Sequence, residues 1–150
     1  MSRLLVSDKK CEPIERIEKH INDILSIIDE YKPDIICKEG SIIGKSSTAK
    51  NVLYAHAILE YILYQKNIDI QDIHNATLKA YCKKYLINKC FYTKEELKQF
   101  NKKEIVAEFL KAYFSSDMPE IYTERGKLLD DVADAIALNV YYYENIYKGW

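Results

Sequence analysis

"YKPDIICKEG", residues 31–40, is the stretch on which the reading of this chain turns. Pro33 closes any helix before it, because the residue preceding a proline is pushed out of helical backbone. "DIICKE" (34–39) is then a short apolar run stopped by Gly40, the pattern of a buried strand. On its amino-terminal side, Ile14, Ile17, Ile21, Ile24, Leu25 and Ile28 recur at spacings of three and four. That predicts an amphipathic helix, with Pro13 suited to its first turn. On the other side, "STAKNVLYAHAILEYILYQKN" (47–67) predicts a second helix, and "IDIQDIHN" (68–75) alternates as a strand does. "SRLLVS" (2–7) reads as a further short strand. Helical segments are expected over Thr77–Tyr85, Lys94–Phe100, Lys102–Phe114 and Leu128–Tyr147. Strand–helix–strand–helix–strand followed by helices predicts an α/β fold with a small, mostly parallel sheet. The 150 residues suffice for one core, and three prolines and four glycines leave no flexible linker, so a single domain over 1–150 is expected.

At 48% hydrophobic and 30% charged residues, the composition is that of a globular protein. A net charge of −1 gives no chain-wide attraction to nucleic acid or membrane. No apolar run approaches membrane-span length and no signal-peptide pattern opens the chain, so a cytoplasmic protein without a membrane partner is expected. Cys11, Cys37, Cys82 and Cys90 form no C-x-x-C pair and have no histidine at ligand spacing. Free thiols are the expectation.

Three groups of residues could carry chemistry. Glu39 ends the "DIICKE" strand, where open α/β sheets gather ligands. By alternation it shares a face with Ile35 and Cys37, and a half-buried carboxylate is costly unless paired or metal-bound. A solvated loop carboxylate is the plainer alternative. The second group lies in "LLDDVADAIALNVYYY" (128–143). Acids in a first helical turn are favoured by the macrodipole, which accounts for Asp130 or Asp131. It accounts poorly for Asp134, a turn further in, on a face that soon becomes apolar at Ala137 and Leu138. Asp131 and Asp134, at i and i+3, project to neighbouring points. With a strand-end carboxylate they would form a hard-oxygen site for Mg2+ or Mn2+.

The third group is basic. Lys79, Lys83, Lys84, Lys89, Lys94, Lys98, Lys102 and Lys103 stand against only Glu95 and Glu96, and the balance reverses after Asp117. Lysines for phosphates beside acids for a metal is the pattern a nuclease needs, a solvated lysine face being the alternative. Tyr81, Tyr85, Phe91 and Tyr92 interleave with the lysines and could stack on bases, though core packing is the expected use of at least half.

In order and spacing these motifs resemble the Holliday-junction resolvases of the RuvC type, within the RNase H-like nucleases, from about Ile14 to Tyr143. "YKPDIICKEG" resembles the family's helix–Pro-Asp–strand–Glu unit, which puts Glu39 at the strand-borne catalytic glutamate. "HNATLKAYC" resembles the segment carrying a family lysine, at Lys79, without the family's proline. "NKKEIVAEFLKAYF" resembles the helix with a phosphate-side lysine, at Lys103 or Lys102. "DDVADAIALNVYYY" resembles the terminal D-x-x-D helix, which assigns Asp131 and Asp134. The resemblance implies an RNase H-like fold and a Mg2+- or Mn2+-dependent endonuclease acting on branched DNA. It also implies a homodimer, for which the helix over Ser47–Asn67 could supply the interface. The family opens with a strand ending in an aspartate, and this chain lacks room for all three family strands before Ile14. Either "SRLLVS" is the third strand and the opening is missing, as register favours, or it is a shortened first strand with Asp8 at its end, as sheet order favours. A truncated relative acting as a non-catalytic nucleic-acid-binding or interaction module is the competing expectation.

Overall fold

A computed structural model describes residues 5, 6, 8, 10–40 and 47–148, with 47–49 described through the backbone alone. The chain gathers into two compact units, one running to Asp72 and the other starting at Ile73.

The first unit is built on α1 (Pro13–Tyr31), β1 (Ile35–Glu39), α2 (Ser47–Gln65) and β2 (Asp69–Ile73). Pro13 sits in the first turn of α1, and Glu12 and Glu15 form a capping box across it. Lys32 ends the helix in left-handed backbone, with its N–H on the Ile28 carbonyl at 2.7 Å. The isoleucine stripe buries Ile17, Ile21 and Ile28. β1 and β2 pair as a two-stranded parallel sheet with α2 as the crossover, and α1 packs on α2. The "SRLLVS" run falls largely outside the described residues. Of it, Leu5 and Val6 lie in neither helix nor strand.

Lys38 ties the crossover helix to the sheet. Its ammonium pairs with Glu60 of α2 at 2.9 Å and with Asp72 of β2, and lies 3.4 Å from His56 Nδ1. Only 12% of the side chain is exposed. Burial would push its pKa down, but the hydrogen bonds to Asp72 and Glu60 outweigh this and hold it above the ordinary value.

The second unit is helical. Asn75–Asn88 forms α3, Lys102–Phe114 forms α4 and Asp130–Tyr142 forms α5, and the three pack on one another. The expected helix over Lys94–Phe100 is a single 3-10 turn, Glu96–Gln99. Glu96 accepts from the Thr93 N–H and hydroxyl, which stops the segment growing backward. α4 starts at a capping box in which Asn101 accepts from the Lys103 and Glu104 N–H groups, at 2.9 and 3.0 Å. The helix expected to run on to Tyr147 closes with a π-helical turn, Tyr143–Tyr147. Leu78, Cys82, Leu86, Ile105, Phe109, Leu110 and Ile121 form the buried centre.

A tight turn aims α5. Tyr122 and Leu128 form an antiparallel bridge around it, and Gly126, at φ 76°, occupies left-handed backbone that other residues enter at a cost. The Leu129 N–H then donates to the Ile121 carbonyl at 2.8 Å, one residue before the helix starts. Ala133 and Ala137, both buried, let α5 lie close to its neighbours.

Candidate functional site

In the second unit three helices bring the candidate lysines and aspartates together. Lys79 is one turn into α3, Lys103 is in the first turn of α4, and Asp130, Asp131 and Asp134 lie in the opening turns of α5. The Lys79 ammonium is 3.7 Å from Asp134 Oδ2, with side chains only 16% and 25% exposed. The Lys103 ammonium donates to Asp130. That hydrogen bond raises the Lys103 pKa, and the fields of Asp131 and Asp134 raise it further. The same bond holds the Asp130 carboxyl below the ordinary range. Buried beneath, the Cys82 thiol is pushed up to about 12, by desolvation first and by the Asp134 charge second. Such a thiol stays protonated and serves packing, not nucleophilic chemistry. All four cysteines are free thiols.

Of the two lysines the sequence offers for the start of α4, Lys103 is the one paired with an acid, and both are exposed. Consecutive residues of α4 point about 100° apart, so the rotation of the helix decides which of the pair is used. One detail differs from the expectation. The acid Lys103 meets is Asp130, which the sequence marks only as a helix-end charge, and Asp131 is exposed.

Of the four interleaved aromatics, three are structural. Tyr81 packs edge-on against Phe109 and Tyr141, and Tyr85 against Phe109. The Tyr92 hydroxyl donates to Glu108 at 2.6 Å, and its ring packs on Phe100. Phe91 is 51% exposed.

Glu39 belongs to the first unit, at the carboxyl end of β1, and is half-buried, as are all five residues of the strand. On its shared face, burial raises the Cys37 pKa. A cleft of about 470 Å3 in this unit, lined by Ile28, Lys32, Asp34 and Lys66 among others, opens at the amino end of the strands, away from Glu39. Asp8 is exposed, and its carboxylate accepts the Lys10 N–H at 2.9 Å in a local turn.

Among the described residues no group of three histidine, cysteine, aspartate or glutamate side chains is set to hold a metal ion. The donors nevertheless fit a hard divalent cation in kind. Asp131 and Asp134 offer only carboxylate oxygen, and cationic ammonium groups already stand against Asp130 and Asp134. No described helix is long and apolar enough to cross a membrane.

Fold and cluster together describe a mixed α/β protein with a small parallel sheet, whose C-terminal helices set lysines against aspartates. In structure it is similar to RuvC of T. thermophilus, solved in complex with a Holliday junction substrate, with a TM-score of 0.60. The similarity covers 93% of this chain and 75% of that one at 11% identity, so it is a likeness of fold. No protein-family model matches the sequence, and no characterised protein matches it by sequence.

Proposed function

We propose that this chain is an RNase H-like, metal-dependent endonuclease of the Holliday-junction resolvase type, cutting phosphodiesters of branched DNA. The observation that carries the reading is the meeting of Lys79 and Lys103 with Asp134 and Asp130 on three packed helices. The likeness to a junction-bound RuvC supports the substrate class. In this reading Glu39, Asp131 and Asp134 hold Mg2+ or Mn2+, which when bound supplies Lewis acidity at the phosphate and a nucleophilic water at neutral pH. Lys79 and Lys103, with Lys102 at the rim, hold the DNA backbone. The test is incubation of a labelled four-way junction with the protein in Mg2+ or Mn2+. Paired nicks in opposing strands, with linear duplex left intact, are the expected result.

A second reading, a non-catalytic nucleic-acid-binding module, is favoured by Asp8. The family's opening aspartate is a metal ligand, whereas the Asp8 carboxylate is engaged in a turn. Junction binding without cutting in either metal would select it. Loss of both binding and cutting would end both readings.

Replacing Lys79 and Lys103 with alanine should weaken junction binding. It should also flatten the log–log dependence on salt by about one unit per lost phosphate contact. An unchanged slope would make these lysines ordinary surface.

Two symmetric cuts call for two copies of the site. The surface that fits a second copy is α2, where Val52, Leu53, Tyr54, Ile58, Tyr61 and Tyr64 are exposed. At about 100° per residue, Leu53, Tyr54, Ile58, Tyr61 and Tyr64 fall on one side of the helix, an exposed apolar face of the kind that marks an interaction site. Around the small Ala57 it suits a two-fold contact between like helices. Ile58→Asp should shift the protein from dimer to monomer in sedimentation equilibrium. A wild-type chain that sediments as a monomer at micromolar concentration would remove the dimer from the proposal.

A further inference from the structure

We infer that Lys79 and Lys103 act as stand-in cations on the α5 aspartates and are released to DNA phosphate when a divalent cation binds, so that metal and DNA binding reinforce each other. This rests on the proposed metal-dependent reading and adds a coupling that the reading does not require. Each lysine is already engaged: Lys79 with Asp134 at 3.7 Å, and Lys103 with Asp130 by a direct hydrogen bond. The Lys103 charge is further held by Asp131 and Asp134. The three carboxylates face these two ammonium groups, and Lys127 adds its field at Asp130, so the cluster is nearly neutral and weakly attractive to either ligand. The pairing also separates the carboxylates, since Asp130 turns to α4 and Asp134 to α3. That is a physical reason why these acids do not converge among the described residues.

A cation of charge +2 on Asp134 and Asp131 supplants the +1 Lys79 ammonium at the Asp134 oxygen and, by its field alone, loosens Lys103 on the neighbouring Asp130. The displaced lysine keeps its long flexible stem and stays within a side-chain length of where it was. It then has one strong partner available, the phosphate of a bound strand. By linkage the effect is reciprocal: a phosphate that draws Lys79 away leaves Asp134 more open to metal.

The first arm of the test uses no DNA. Mn2+ binding is titrated by calorimetry with wild type, Lys79→Met and Lys103→Met, methionine keeping most of the buried stem. Lys148→Met serves as a control, removing the same charge at the far end of the α5 segment, about 25 Å away and well beyond the Debye length. Each active-cluster variant should bind Mn2+ roughly three- to tenfold more tightly, and the control should match wild type. The second arm measures junction affinity with and without Ca2+ at constant ionic strength. Ca2+ should tighten wild type relative to Asp134→Asn, which should bind well without it because Lys79 is already released. Equal Mn2+ affinity in wild type and both methionine variants, with measurable binding in all, would overturn the coupling and leave the nuclease reading standing. No Mn2+ binding to wild type would overturn both. Melting curves check that each variant is folded, and Lys79→Arg, which restores the charge, should return Mn2+ affinity toward wild type. Failure of that rescue would also count against the coupling.

Discussion

Junction cleavage should fall by about a thousandfold or more in Asp134→Asn, while the protein stays folded and keeps its DNA. In the proposed reading the magnitude follows from losing one anionic ligand of a cation worth several kcal/mol of transition-state stabilisation, each 1.4 kcal/mol being about tenfold. Asparagine has nearly the same shape, so the half-buried site beside Lys79 loses a charge and little volume. Glu39→Gln should cost a similar factor, because in the proposed reading it supplies the strand-side oxygen. Asp130→Asn should cost far less, since its carboxylate serves Lys103. A rank order with Asp130 at the top and Asp134 near wild type would transfer the metal to different acids. Equal small losses at all positions, with full DNA binding, would mean that these side chains shape the helix end and do no chemistry.

Much of this arrangement can be read from residue order. The isoleucine spacing of α1, the Pro33–Asp34 stop and the short run into Glu39 are local signals, and each element lies within a few residues of its reading. α4 is legible for the same reason: an Asn101 cap with Glu104 three residues on marks its first turn without reference to the rest of the chain. What escapes the sequence is set by partners far along it. Whether Lys102 or Lys103 meets the acids depends on the rotation of α4 against α5, fixed by buried Ile105, Phe109 and Leu110 and not by the pair itself. Asp130 reads as a helix-end charge until its partner 27 residues away is known. Lys38 looks like the polar residue of an alternating strand. Only the crossover geometry supplies Glu60 and Asp72 to it. Tyr81 and Tyr85 sit among lysines in sequence but face inward on α3, a consequence of helical period in a segment with little overall amphipathicity.

Phe109→Ala should destabilise the C-terminal unit by about 3–5 kcal/mol, the usual cost of deleting a fully buried aromatic ring. Phe109 is 0% exposed at the centre of α4. Its ring centroid lies 5.5, 5.2 and 5.8 Å from those of Tyr81, Tyr85 and Tyr113. Alanine removes both the buried area and three ring–ring contacts, and the surrounding tyrosines cannot all collapse into one hole. Against a typical domain stability of roughly 5–15 kcal/mol, the loss takes the unit close to unfolding at room temperature. Urea melts followed by near-ultraviolet circular dichroism would show it, because Tyr81, Tyr85 and Tyr113 report their own packing. Phe109→Leu, which keeps part of the buried side chain, should lose clearly less. A shift below about 1 kcal/mol for alanine would mean that the ring cluster is loosely packed. The same result would bear on the site, because the Phe109 ring cluster is part of the core that holds α3 and α4, with Lys79 and Lys103, beside α5. With the ring gone, the Lys79–Asp134 pair loses its fixed separation. The Mn2+ affinity of Phe109→Leu should then move toward that of Lys79→Met even though no charge has changed.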